Sequence, residues 1–413
     1  MVERDSTRVV TEADILAAGV RIRDGIQRTP CPRSIPLSLA TGCEVYCKLE
    51  YLQRTGSFKE RGARNALLLL SPAERERGVI AASAGNHALG LAYHAQGLGV
   101  SATVVMPLTA PLTKITNCQQ LGARVILHGN TIEEARVRAM ELVQESSLTY
   151  VNGFDDPAII AGQGTMGLEI LEQVPDVDAV VVPVGGAGLL AGLAVALKSA
   201  RPEIKIYGVE PERAASFWEA MQAGAPVMTS MQSTLADGLA VPKVGANGFA
   251  LARGLVERTV RVREHFIALA ILRLVELEKA VVEGAGAVPL GALLEGLLPE
   301  LRGRKVVLPL CGGNIDTNIL GRVLERGLAA DGRLCRFSAV ISDRPGGMSK
   351  FSALLAGEAA SIREITHDRA FASEDITQVT VHCVIETRDH GHVRRVHDRL
   401  QTEGFQVFFP DLF

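Results

Sequence analysis

The sequence predicts an α/β protein with two parallel-sheet lobes and a smaller C-terminal domain. Three observations carry this. Short β-branched runs alternate with helix-length stretches from about residue 78 to 310, the rhythm of βαβ units whose parallel sheet is covered on both faces. Three such runs end in loops of glycine and other small residues, at 83–87, 185–189 and 311–314. Beyond Arg326 the order becomes strand, helix, strand, strand, helix, strand, which is ferredoxin-like.

Taken in order, Thr11 and Asp14 have capping-box spacing and open a helix through Val20 to about Ile26, which Thr29-Pro30 ends. Residues 44–50 alternate as a strand and lead to Gly56-Ser57-Phe58-Lys59-Glu60-Arg61-Gly62-Ala63, followed by an apolar helix over 64–70. Strands at 78–82, 101–106 and 124–127 then alternate with helices at 86–96, 112–120 and 132–144. The rhythm resumes from Ile159 through Val184, with further strands at 204–209 and 305–310. The segment Ala329-Ala330-Asp331-Gly332 reads as a linker. Beyond it lie strands at 335–341, 360–366, 378–386 and 406–409, with helices at 348–355 and 393–401. The expected domains are 1–328, with a small lobe at about 52–150 inside it, and 334–413.

Composition narrows the function. A chain of 413 residues with 47% hydrophobic and 22% charged residues has the make-up of a globular protein of two or three domains. Lys+Arg 43 against Asp+Glu 46 leaves no basic excess for nucleic acid or an anionic membrane. Aromatics are 4% while glycines number 41, so backbone-rich loops are expected to do the binding. The start, Met1-Val2-Glu3-Arg4-Asp5, is charged and unlike a secretory signal. Seven cysteines form no repeated CxxC, and Cys43 and Cys47 lack the second pair a zinc site needs. Free thiols in the cytoplasm fit. Residues 179–197 carry no charge and are long enough to span a bilayer. Pro183 and Gly185-Gly186 break them into strand, loop and helix, so no membrane span is expected.

Lys59 sits at a helix start, where the dipole disfavours positive charge. Such a lysine sheds its proton more readily and can form an imine with an aldehyde cofactor; a solvated lysine is the alternative. Ser83-Ala84-Gly85-Asn86-His87 lies between strand and helix, where backbone N–H groups make an anion pocket or merely a tight turn capped by Ser83. Gly185-Gly186-Ala187-Gly188-Leu189 has the same setting and suits a phosphate. A dinucleotide is the competing ligand, since Glu210 ends the next strand, but Gly186-x-Gly188-x-x-x-Gly192 is not the GxGxxG fingerprint. Cys311-Gly312-Gly313-Asn314 again follows a buried strand. No basic neighbour activates the Cys311 thiol, which points to hydrogen bonding or packing.

Together these stretches resemble the fold-type II pyridoxal phosphate enzymes, of tryptophan synthase β-like fold, and among them the threonine/serine dehydratases (threonine ammonia-lyases). The residues that carry the resemblance are Ser57-Phe58-Lys59, Ser83 to His87, Gly162-Gln163-Gly164-Thr165, Gly185 to Leu189 and Cys311 to Asn314, in the family's order. It covers residues from about 10 to 325. It implies pyridoxal 5'-phosphate as cofactor, Lys59 as its Schiff-base lysine and proton carrier, and Phe58 beside its ring. It further implies Asn86 at the ring hydroxyl, the backbone of Gly185, Gly186, Ala187, Gly188 and Leu189 at the phosphate, and Cys311 facing the pyridine nitrogen. Ser83, Ala84, Gly85, Asn86 and His87 would hold the substrate carboxylate. The implied reaction removes water from L-threonine to give 2-oxobutanoate and ammonia, and takes L-serine to pyruvate.

A serine racemase or a hydroxyaspartate dehydratase shares this scaffold; racemases of the group carry a serine as second base where this chain has Ala84. Leu89 stands where a glutamine is usual. A divalent ion at Glu210 lacks the family's acidic partner, since Ala214 and Ser216 follow. An intact Lys59 speaks against a non-catalytic amino-acid sensor. The C-terminal region resembles ACT regulatory domains, which implies an amino-acid effector near Asp343, Arg344, Pro345 and Gly346. His390 and His392 are expected to be solvated. A homodimer or homotetramer is expected.

Overall fold

The computed structural model describes residues 9–369 and 375–410; Met1 to Asp5 lie outside them. The chain divides into two compact units, Met1–Asp316 and Thr317–Phe413.

The first unit contains two parallel sheets. The larger runs in spatial order Glu44–Lys48, Lys305–Pro309, Ala179–Pro183, Lys205–Pro211, Arg258–Val262, and every neighbouring pair is parallel. Its central strands are Val-rich and buried, Ala179–Pro183 along its whole length and Lys305–Pro309 at all but Lys305, as sheets covered on both faces require. The smaller sheet runs Arg124–Leu127, Ala102–Met106, Val79–Ala82, Thr149–Tyr150, also parallel. Each sheet has its own apolar core, one around Val180, Leu190 and Phe217 and the other around Val104, Leu91 and Leu67. The uncharged run is broken as expected, into strand Ala179–Pro183 and helix Gly188–Ala200. Among the described residues no helix is long and apolar enough to cross a membrane.

The helix of the candidate lysine starts at Lys59 itself, spanning Lys59–Leu68, and packs against the helix Pro157–Gln173. Two glycines permit the approach. A Cβ on Gly162 would lie 2.6 Å from the Gly62 Cα, inside any van der Waals contact. This explains Gly162 in the segment Gly162-Gln163-Gly164-Thr165 without a ligand. The first helix ends at Ile22, and a 3₁₀ turn, Arg23–Gly25, completes the stretch expected to reach residue 26.

The second unit is ferredoxin-like. Strands Ser361–Asp368, Gln378–Glu386, Leu334–Ser342 and Gln406–Phe408 form an antiparallel sheet in that spatial order. Helices Gly347–Gly357 and His390–Thr402 supply Phe351, Leu355, Val396 and Leu400 to its core. Phe337 and Phe409 stack at 4.4 Å.

Two expectations change here. The helix Thr317–Ala330 takes in Ala329 and Ala330 of the expected linker and belongs to the second unit. Asp331 N donates to Gly327 O and Arg333 N to Leu328 O, so hydrogen bonds carry the backbone from this helix directly into strand Leu334–Ser342. His392 is buried rather than solvated, its ring placed between Glu358 O at 2.7 Å and the Arg388 N–H at 3.1 Å. The amphipathic helix turns that position inward and both ring nitrogens are satisfied, whereas His390 remains exposed.

Candidate active site

The lysine loop is held by a second loop far along the chain. Phe58 N donates to Cys311 O and Gly313 N to Gly56 O, with an antiparallel bridge between Ser57 and Gly312. Gly56 sits at φ 78°, a conformation that favours glycine. Lys59 therefore emerges at the first position of its helix, with no side-chain cap before it. Its Nζ donates to Gly153 O at 2.7 Å and lies 5.2 Å from the Phe58 ring centre. Burial lowers the Lys59 ammonium from 10.5 to about 8, against the opposing pull of Cys311 and Glu283.

The residues after Lys59 anchor it. The buried Glu60 carboxylate accepts from Thr55 N and contacts His94 Nε2 at 3.0 Å. Arg61 is wholly buried between Glu50 and Glu169, and Lys48 joins from Glu169 to Gln173 and Thr29 O. Burial alone would raise the Glu50 carboxyl, but Arg61 and Lys48 hold it below its ordinary value. Two cations thus balance two carboxylates under the helix Lys59–Leu68. Arg61 was visible in the motif but carried no role, because its partners are remote in sequence.

Ser83 to His87 forms the turn expected, with Gly85 N donating to Ser83 Oγ and an uncapped helix Asn86–Gly97 following. His87 Nε2 faces Val151 O at 3.0 Å. A carbonyl only accepts, so Nε2 carries the proton and Nδ1 is a free acceptor. Burial, with Lys59 nearby, pushes His87 down to about 4, so it is neutral at pH 7. Its Nδ1 is buried with no partner, as is Ser57 Oγ. Leu89 is buried in the apolar core of the smaller sheet.

Residues 185–189 begin a second uncapped helix, Gly188–Ala200, with Ala187 at φ 72°. A Cβ on Gly186 would overlap the Phe154 ring, and one on Gly188 the Phe154 carbonyl. Phe154 follows Gly153, the acceptor of Lys59, so this loop and the lysine share one backbone segment. Cys311 is buried, its Sγ donating to Pro309 O at 3.4 Å, and burial raises the thiol far above its ordinary range. It is a neutral thiol.

Glu283 is the residue sequence reading missed. It is 7% exposed and accepts from Asn86 Nδ2 at 2.7 Å. Burial, then Asp237, raises its carboxyl to about 7, while Asn86, Lys114 and Lys59 pull it back. An acidic residue set directly before the small-residue run Gly284-Ala285-Gly286-Ala287 was the available signal.

Two expected positions lie elsewhere. Glu210 accepts from Phe217 N at 2.7 Å and Trp218 N at 2.8 Å, so both oxygens cap the helix Ser216–Ala223. Burial raises it to about 8. Among the described residues no group of three or more His, Cys, Asp and Glu is placed to hold a metal. In the second unit Asp343 pairs with Arg369 at 3.0 Å, and Gly346 at φ 94° precedes the helix Gly347–Gly357. Arg344 lines a cavity of about 470 Å³ with Ser342, Lys350, Gln378, Glu403 and Phe405.

Residues 22–312 match the family described as pyridoxal-phosphate dependent enzyme. The chain belongs to this family. Its similarity extends to L-threonine ammonia-lyases of Thermotoga maritima, 43% identical over 97% of this chain and 99% of that one, and of Geobacter sulfurreducens, 43% identical over 95% and 98%. Among solved structures, the processed form of threonine deaminase isoform 2 from Solanum lycopersicum is 40% identical, covers 76% of this chain and 91% of that one, and superposes with a TM-score of 0.73. Serine racemase from Dictyostelium discoideum is 35% identical over 74% and 99%, with a TM-score of 0.70.

The residues present fit pyridoxal phosphate. An aldehyde needs a nucleophilic amine, and Lys59 is lowered to about 8. A phosphate needs unpaired N–H donors, and the uncapped helix after residues 185–189 offers them. The buried Ser57 Oγ and His87 Nδ1 add polar groups with no partner in the protein.

Proposed function

We propose that this protein deaminates L-threonine to 2-oxobutanoate and ammonia, and L-serine to pyruvate, as a pyridoxal-phosphate dependent lyase. The single observation that carries this is the 43% identity with an L-threonine ammonia-lyase along 97% of the chain.

In this reading residues 185–189 hold the cofactor phosphate through backbone N–H groups and Phe58 lies beside the ring. When bound, pyridoxal phosphate supplies a carbonyl that captures the substrate amino group and a conjugated ring that takes up the electron pair freed at Cα. Lys59 Nζ, neutral above about pH 8, takes the Cα proton. The N–H groups of residues 83–87 orient the substrate carboxylate. The β-hydroxyl departs as water, its added proton balanced by the one Lys59 took from Cα, and a water then hydrolyses the released product to the keto acid and ammonia. The neutral Cys311 thiol, which in this reading would face the pyridine nitrogen, would not hold that nitrogen positively charged as a carboxylate would. This favours fast loss of a β-leaving group over a long-lived carbanion.

Ala84 has no group able to return a proton from the opposite face, which favours elimination over racemisation. The catalytic part in this reading ends near Asp316 and the ferredoxin-like unit regulates it as an ACT domain. Its ligand is an amino acid: Arg344 and Lys350 suit a carboxylate, Glu403 an ammonium and Phe405 a side chain. A cytoplasmic homodimer or homotetramer completes the proposal, supported by seven free cysteines and by exposed Val20, Ile35 and Leu39. The test is keto-acid release from L-threonine, L-serine and hydroxyaspartate, with chiral chromatography of the amino acid left. No keto acid from threonine or serine would refute it.

A further inference from the structure

Asn314 closes the short loop after strand Lys305–Pro309, and nothing in the chemistry above uses it. Its Nδ2 donates to Thr55 O at 2.7 Å and to Asn86 Oδ1 at 2.9 Å. Asn86 Nδ2 in turn donates to Glu283 Oε1 at 2.7 Å. The row therefore runs from a backbone carbonyl through two side-chain amides to a carboxylate. Both ends accept: a carbonyl has no proton to give, and an ionised carboxylate has none either. Each amide between them is forced to turn its NH2 toward the Glu283 or Thr55 end and cannot rotate alone without setting two acceptors face to face. The Thr55 end does not titrate, so it holds the direction of both amides even when Glu283 takes up a proton. Groups that face Glu283 electrostatically are Asp237, Lys114 and Lys59, besides Asn86.

The local backbone is shaped around Asn314. A Cβ on Gly56 would lie 2.6 Å from Asn314 Oδ1, so this glycine supplies room as well as its left-handed turn. Thr55 and Gly56 begin the loop that delivers Lys59, and the row thus ties that loop to Asn86.

We propose that Asn314 is a positioning residue for the reaction: it sets the direction of the Asn86 amide, so that an N–H of Asn86 and not its carbonyl oxygen is offered to the ring oxygen of the bound cofactor. This rests on the reading above in which Asn86 meets the ring hydroxyl. A donor at that oxygen favours its ionised form, and an acceptor favours the neutral hydroxyl.

The experiment uses the full-length protein loaded with pyridoxal phosphate, with Asn314→Ala and the equal-sized Asn314→Asp. The ratio of the ionised to the neutral-hydroxyl absorbance bands of the bound cofactor is read at constant pH, beside kcat and KM for L-threonine. Asn314→Ala is expected to lower that ratio about tenfold, the effect of one lost or reversed hydrogen bond, and kcat by a similar factor, with KM within about threefold. Asn314→Asp, which can only accept toward Thr55 O and Asn86, shifts the ratio at least as far. Wild-type band ratios in both variants, with only the melting temperature lowered, overturn the inference while leaving the cofactor site standing. A wild-type protein that binds no pyridoxal phosphate overturns the underlying reading itself.

Discussion

Arg61 grips Glu50 through Nε at 2.8 Å and a terminal nitrogen at 2.7 Å, two residues after Lys59. The same guanidinium reaches Glu169 at 2.7 and 2.9 Å. With Lys48, which also pairs with Glu169, two cations and two carboxylates are neutralised beneath the helix that begins with the candidate lysine. Arg61→Met removes one cation and leaves Glu50, fully buried, without its main partner. The expected cost is about 3–5 kcal/mol, the range for breaking a buried pair, read as a lower urea midpoint. Removing both partners, as Arg61→Met with Glu50→Leu, is expected to recover part of it. A double variant no more stable than the single one would show that the pair matters for something other than charge balance.

In the proposed reading Lys59 carries the proton transfer. Lys59→Ala is expected to lose covalent attachment of pyridoxal phosphate and to lower ammonia release by ~10³-fold or more, within the range of a missing acid–base group and nucleophile. Ammonia is measured by a coupled assay, and near-normal turnover would contradict the assignment.

Stability should fall as pH rises through neutrality, because of Glu210. Burial holds its folded-state value at about 8 against 4.5, so the folded protein keeps a proton the unfolded chain has released. The stabilisation is complete below the unfolded value and is lost as pH rises through the folded one. Glu283, raised to about 7, adds in the same direction. Thermal midpoints of wild type and Glu210→Gln, compared between about pH 5 and 8, are expected to show a shallower decline in the variant. Parallel slopes would mean that Glu210 is not the titrating group.

Ala84 separates elimination from racemisation. Wild-type protein given L-serine is expected to form pyruvate with negligible D-serine. In the proposed reading Ala84→Ser supplies the second base that racemases of this group carry there, and it is expected to produce measurable D-serine while lowering elimination only about two- to threefold, since no existing group is removed. Chiral chromatography checks both. D-serine from wild type at a rate comparable to pyruvate would favour the racemase.

Regulation is tested at Arg344, which lines the cavity of the ferredoxin-like unit. Isothermal titration of the full-length protein with isoleucine or valine is expected to show binding that Arg344→Ala weakens about tenfold or more, the loss of a charged hydrogen bond to a carboxylate. Catalysis without effector should be unchanged in that variant. Absence of binding by wild type would leave the unit a structural role.

The alternation of strands and helices, the break at Pro183, the ferredoxin-like order and the helix start at Lys59 were all legible in the sequence. Each depends on neighbours within a few positions, on hydrophobic period, turn residues and helix starts. The linker at 329–332 misled because alanine and a charged residue suit a helix end as well as a loop; only packing decided it. Glu283, Asn314 and the Arg61 network were not legible as parts of the site. Asn86 meets Glu283 across 197 positions and Asn314 across 228, and Arg61 meets Glu169 across 108. Local preference decides which backbone a segment adopts. Which buried donor faces which buried acceptor is settled only when the two sheets and their loops close on one another, because a buried polar group must find its partner wherever the fold supplies one.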